Sequence, residues 1–105
     1  MDAKVLFYGT PVSEQETIIA TVPTQKKWIV AKIYLTNTGT ETTTVTLKHY
    51  INSTDTITLL SNCSIDANKT YELSSIVIEE NQRILAKQNI DSAIELIAYG
   101  YEETM

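Results

Sequence analysis

The sequence predicts an all-β fold: an antiparallel β-sandwich or jelly-roll-like domain of about eight strands, with little or no helix. Three observations carry this reading. Apolar and polar residues alternate along most of the chain, while helical spacing is almost absent. The alternating runs are rich in Val, Ile, Thr and Tyr, which suit a pleated, half-buried surface. Clusters of Asn, Asp, Ser, Thr and Gly interrupt them roughly every ten residues, the spacing of a sandwich or barrel.

The elements follow in order. Glu16 to Val22 is the first convincing strand, and Thr21-Val22-Pro23-Thr24 turns a corner after it. Lys27 to Thr36 is a long strand with Ile29, Ala31, Ile33 and Leu35 on one face. Its other face carries Trp28, Val30, Lys32 and Tyr34 and is only half polar. A polar turn at Asn37 to Glu41 leads to a strand in which Val45, Leu47, His49 and Ile51 oppose Thr44, Thr46, Lys48 and Tyr50. The stretch from Lys27 to Tyr50 therefore reads as an antiparallel hairpin. Asn52 to Asp55 is a turn. Ile57 and Leu59 mark a short strand, and Cys63 to Ile65 is another, set between turn clusters at Ser61-Asn62 and Asp66 to Lys69.

Thr70 to Ile78 is a strand with Tyr71, Leu73 and Val77 against Glu72, Ser74, Ile76 and Ile78. Glu79 to Gln82 turns the chain. Arg83 to Lys87 and Ala93 to Tyr101 are the last strands, separated by Gln88 to Ser92. Glu80 to Glu95 is the one helical competitor, with an ambiguous period of apolar residues; Asn89 and Asp91-Ser92 interrupt it and favour strands. Ile33, Leu35, Val45, Leu47, Leu73, Ile84 and Leu96 are the expected core.

Length and charge bound the function. A chain of 105 residues has room for one modest core, so residues 1–105 read as one sandwich domain without linker or repeat. The net charge of −5 and pI of 4.7 argue against a nucleic-acid partner, which needs clustered Lys and Arg. They also argue against docking on an anionic membrane. Apolar runs are only a few residues long, too short to span a bilayer. The start, Met-Asp-Ala-Lys-Val-Leu-Phe-Tyr-Gly, lacks the apolar core of a signal peptide. Cys63 is the only cysteine, so no internal disulfide is possible, and a reducing cytoplasm is expected.

Little in the sequence points to catalysis. His49 is the sole histidine and falls in phase with Val45, Leu47 and Ile51, as a sheet-edge histidine does. Cys63 lies beside a turn with no partner that would activate it. Glu14 with Glu16, Glu79 with Glu80, and Glu102 with Glu103 are carboxylate pairs in turn or terminal contexts, where solvated surface charge is the expected role. No ligand-spaced His/Cys pair and no Gly-rich phosphate loop occurs. The reading is of a non-enzymatic protein with no cofactor and no metal. Asn52-Ser53-Thr54, Asn62-Cys63-Ser64 and Asn68-Lys69-Thr70 match the glycosylation triplet, which matters only in the secretory pathway.

The aromatic residues are more informative. Trp28, Val30 and Tyr34 share a face that alternation marks as outer, and Tyr99 and Tyr101 lie opposite Ile94, Leu96 and Ala98. Such residues fill a subunit interface, stack on sugars, or close a core on its second side. Trp28, Val30, Tyr34, Tyr99 and Tyr101 are therefore the candidate interface or sugar-platform residues.

The strand pattern also carries a resemblance. The order is Thr-Val-Pro, a basic turn, then Trp-Ile-Val-Ala-Lys-Ile-Tyr-Leu-Thr-Asn-Thr-Gly and Thr-Val-Thr-Leu. Later come Ile-Asp-Ala-Asn-Lys-Thr-Tyr-Glu-Leu, Ile-Val-Ile-Glu-Glu-Asn-Gln and a last strand ending Ala-Tyr-Gly-Tyr-Glu. From Ile18 to Glu102 this resembles the small β-sandwich modules of tailed-bacteriophage virions, found in tail, baseplate, fibre and head-fibre proteins. The resemblance implies a virion structural or accessory protein acting through protein–protein contacts, assembled in the host bacterial cytoplasm. It favours a homo-oligomer, with a trimer as the expected state, and other virion proteins as partners. The alternative is a host-adhesion module that binds cell-surface carbohydrate through exposed aromatics. The resemblance brings no catalytic residues. Those modules usually have Gly where this chain has Asn68, and often Gly-Asp in place of Glu80-Asn81.

Overall fold

A single long ribbon, rolled on itself, accounts for the architecture. The structure, a computed structural model, describes residues 3–90 and 93–105. Among these residues it forms nine strands and no helix: β1 (Lys4–Gly9), β2 (Val12–Ser13), β3 (Thr17–Thr21), β4 (Lys26–Asn37), β5 (Thr43–Tyr50), β6 (Thr56–Ile65), β7 (Thr70–Ile78), β8 (Arg83–Gln88) and β9 (Ile94–Thr104). The antiparallel pairs nest outward from the β5–β6 hairpin through β4·β7 and β3·β8 to β1·β9. Rolling the ribbon adds β4·β9 and β5·β8. The result is two packed sheets, β1-β9-β4-β7 and β2-β8-β5-β6, with β3 on the same edge of β8 as the short parallel β2. Nested pairing closed in this way is the jelly-roll arrangement of a β-sandwich.

Alternation places the core between the sheets. Ile33, Leu35, Val45, Leu47, Ile84 and Leu96 are buried there, and Leu73 packs against them partly buried. The segment read as a possible helix forms β8 and the start of β9; Asp91 and Ser92, which interrupt its pattern, lie outside the described residues, as do Met1 and Asp2.

Four expectations change. Lys27 to Tyr50 is not a hairpin: β4 and β5 lie in different sheets, and residues 38–42 cross between them. The alternating runs are real, but periodicity within two strands does not say that they pair with each other. Second, β1 was not among the expected strands, because Val5-Leu6-Phe7-Tyr8 does not alternate; a bulge at Leu6 explains why. Third, β6 runs unbroken through Ser61-Asn62. Those residues form a bulge opposite Thr46, with Asn62 at φ 46°. The Thr46 hydroxyl accepts the Asn62 N–H at 3.1 Å, so the bulge leaves that donor paired.

The fourth change moves two of the candidate surface residues. Between Val30 and Lys32, β4 carries one extra residue, Ala31, relative to β9. Ser75 of β7, at φ 59°, lies in the neighbouring stretch, between the pairs Val30–Ile76 and Lys32–Ser74. One extra residue moves every following side chain to the other face. Trp28 and Val30 therefore point inward before the bulge, and Ile33 and Leu35 point inward after it. Gly100 faces the bulge from β9: a Cβ there would run into the Ile29 carbonyl oxygen and come within 3.0 Å of the Ala31 nitrogen.

Two buried amides fasten one end of the sandwich, where residues 38–42 and 66–69 cross between the sheets. Asn37 donates to the carbonyls of Glu41 and Ile65 at 2.7 and 2.8 Å and accepts from the Gly39 N–H at 2.9 Å. Gln88 donates to the Pro11 carbonyl and accepts from the N–H groups of Ala93 and Ile94. Asn68 and Asn81 adopt φ of 62° and 65°. Asparagine tolerates this left-handed region better than other residues with a side chain.

Candidate interaction face

The outward face of the β1-β9-β4-β7 sheet gathers Tyr8, Tyr34, Tyr99 and Tyr101, whereas exposed Tyr71 pairs with inward Leu35. Register aligns Tyr8 of β1 with Ile97 of β9, Ile97 with Tyr34 of β4, and Tyr34 with Glu72 of β7. The next row outward is Val5, Tyr99, Lys32 and Ser74. Tyr34 and Tyr99 meet edge to face, with centroids 6.0 Å apart and an interplanar angle of 71°. Tyr101 continues the stripe along β9 beside Ile29. Ile97, Tyr99 and Tyr101 point outward because Ile94, Leu96 and Ala98 fill the core from the same strand, as alternation predicts. Lys32 pairs with Glu72 at the margin, and that hydrogen bond holds the Lys32 ammonium above its ordinary pKa.

Trp28 and Val30 do not belong to this face. Trp28 is only 6% exposed and Val30 is 1% exposed. The expectation that they lie outside with Tyr34 is corrected, and the Ala31 bulge is the reason. The Trp28 ring stacks on Phe7 inside the sandwich, with centroids 5.6 Å apart. Of the five candidates, Tyr34, Tyr99 and Tyr101 remain at the surface, with Tyr99 39% exposed and the other two half-buried.

Sequence reasoning missed Tyr8, the most exposed large apolar side chain among the described residues at 74%. It also missed what Tyr8 borders. An open groove of about 340 Å³ runs beside it, lined by Tyr8, Gly9, Thr10, Thr36, Glu95, Leu96 and Ile97. The outward set Glu95, Ile97, Tyr99 of β9 was legible; its junction with β1 required the pairing of the two chain ends.

The opposite sheet presents a different surface. Glu16 pairs with Lys48 at 2.8 Å, and the Arg83 guanidinium sits 4.7 Å from the Tyr50 ring centroid.

The residues with potential for chemistry are kept apart. His49 bonds Gln82 at 2.8 Å near one end of β5. Cys63 lies opposite Val45, four residues away along that strand, or roughly 13 Å. Glu16, Glu80, Glu102 and Glu103 each have a protein partner: Lys48, the Gln25 N–H, Trp28 with Lys4, and Lys27. Among the described residues no three His, Cys, Asp or Glu side chains are grouped to hold a metal ion, and no helix is long and apolar enough to cross a membrane.

The chain matches no protein-family model and no curated protein.

Proposed function

We propose that this jelly-roll domain is a structural or accessory component of a tailed-bacteriophage virion, at the tail, baseplate or capsid surface, and that it works through protein–protein contacts. The observation that carries the proposal is the stripe of Ile97, Tyr99 and Tyr101 with Tyr34 on the outer face of a sheet whose inner face already fills the core. Contiguous apolar patches of this kind mark interfaces. Tyrosine suits them, since its ring buries area while its hydroxyl keeps a polar partner. The first partner is a second copy of the chain, in closed rotational symmetry, with a trimer as the proposed state; other virion proteins are further partners. The resemblance of the strand pattern to phage β-sandwich modules supports the same reading. The acidic balance of the chain suits a component that does not handle the genome.

The test is to purify intact particles from a bacterial lysate in which the gene is expressed and to identify their proteins by mass spectrometry. This chain is expected in stoichiometric amounts and decorates the particle when labelled with antibody. Its recovery only in the soluble fraction, with none on particles, overturns the virion role.

A further inference from the structure

We propose that the groove beside Tyr8 binds a pyranose ring of a neutral glycan. This inference does not depend on the assembly role; it concerns the Glu95 end of the same face and shares Ile97 with the assembly stripe. Tyr8 stands out from β1 with most of its ring in solvent, next to an open depression of about 340 Å³. That volume lies within the range of about 300–1,000 Å³ typical of small-ligand sites.

The lining sets the chemistry. Tyr8 and Ile97 supply an apolar surface for the C–H face of a sugar ring. Thr10, Thr36 and Glu95 supply hydroxyl and carboxylate oxygens around it. The Glu95 carboxylate is an acceptor for sugar hydroxyls, which makes its hydrogen bonds to them charge-assisted. Thr36 is already anchored: its hydroxyl lies 2.9 Å from that of Thr70. The lining contains no Lys, Arg or His. An anionic ligand would therefore face Glu95 without a compensating cation, in a chain that is already net negative. That selects uncharged sugars over sulfated, phosphorylated or uronic-acid residues. Apart from Thr10, which follows β1, the lining lies where β1, β4 and β9 are paired and held by strand hydrogen bonds.

The experiment is amide chemical-shift mapping of the intact protein with millimolar chitotetraose, maltotetraose and a neutral galactose tetrasaccharide. A heparin-derived tetrasaccharide serves as the charge control. At least one neutral oligosaccharide is expected to shift Thr10, Thr36, Glu95 and Ile97. Tyr8→Ala should weaken that binding about tenfold, the loss of one stacking contact. Glu95→Gln should weaken it less, and Ile57→Ser, at an exposed position on the opposite sheet, should leave it unchanged. Tyr8 and Glu95 are exposed, so both variants fold. The proposal is overturned if no neutral sugar shifts these residues, if binding survives Tyr8→Ala, or if the sulfated sugar binds more tightly.

Discussion

The indole Nε1 of Trp28 donates a 2.9 Å hydrogen bond to the Glu102 carboxylate, directly across the β4–β9 pair. Lys4 reaches the same carboxylate at 3.1 Å. A buried tryptophan needs a partner for its N–H, and this one is supplied at the rim of the core. One acidic side chain thus joins three strands, β1, β4 and β9.

That arrangement makes part of the stability depend on pH. The hydrogen bond from Trp28, then that from Lys4, holds the Glu102 carboxyl below its ordinary value of 4.5. A carboxyl with a depressed folded-state pKa contributes stability that is fully present above the unfolded pKa and is lost as pH falls through the folded one. Glu102→Gln should therefore melt at a lower temperature than the parent near neutral pH, with the gap closing as pH drops below 4.5. Thermal melts of both proteins across that range check this; parallel curves contradict it.

Gly100 should be intolerant of any side chain, because a Cβ there meets the Ile29 carbonyl at the bulge. Gly100→Ala is expected to cost about 3 kcal/mol, the upper end of overpacking penalties. Gly9→Ala is the control: its Cβ would lie 3.5 Å from the Ile19 side chain, an ordinary contact, and should change stability by less than about 0.5 kcal/mol. Urea denaturation of the two variants measures both.

Trp28 and Tyr99 should separate core from surface. Trp28→Ala removes a buried ring stacked on Phe7 and should cost about 3–5 kcal/mol. Tyr99→Ser should change the stability of the isolated fold by less than about 0.5 kcal/mol while weakening self-association. Chemical denaturation read together with sedimentation distinguishes the two; equal destabilisation by both variants contradicts the assignment of faces.

Asn37 is buried with both ends of its amide in use. Asn37→Ala leaves the carbonyls of Glu41 and Ile65 and the N–H of Gly39 without that partner. At roughly 1–3 kcal/mol for each unsatisfied buried group, relaxed partly by water, the expected loss is about 3 kcal/mol. A urea midpoint unchanged from the parent contradicts it.

The sequence made much of the fold legible, and the failures have a common cause. Strands and inward faces follow from local alternation, so Val45, Leu47, Ile84 and Leu96 could be placed in the core without coordinates. Pairing is non-local. Nothing within Lys27 to Tyr50 says that β4 meets β7 and β9 instead of β5. Bulges defeat alternation wherever they occur. Ala31 moved Trp28 and Val30 from the expected outer face to the core, and Leu6 hid β1 altogether. Of the candidate interaction face, Tyr99, Tyr101 and Tyr34 were readable as outward residues. Tyr8 was not, because its neighbours Ile97 and Glu95 lie nearly the full length of the chain away.

The most direct test of the central claim, that the Tyr34, Tyr99 and Tyr101 face joins copies of the chain, is the mass of the protein in solution. Size-exclusion chromatography with light scattering at micromolar concentration should give three times the 11.8 kDa of one chain. The Tyr34→Ser, Tyr99→Ser double variant should elute at the single-chain mass. A parent protein that runs at 11.8 kDa under these conditions, or a double variant that assembles as the parent does, contradicts the account.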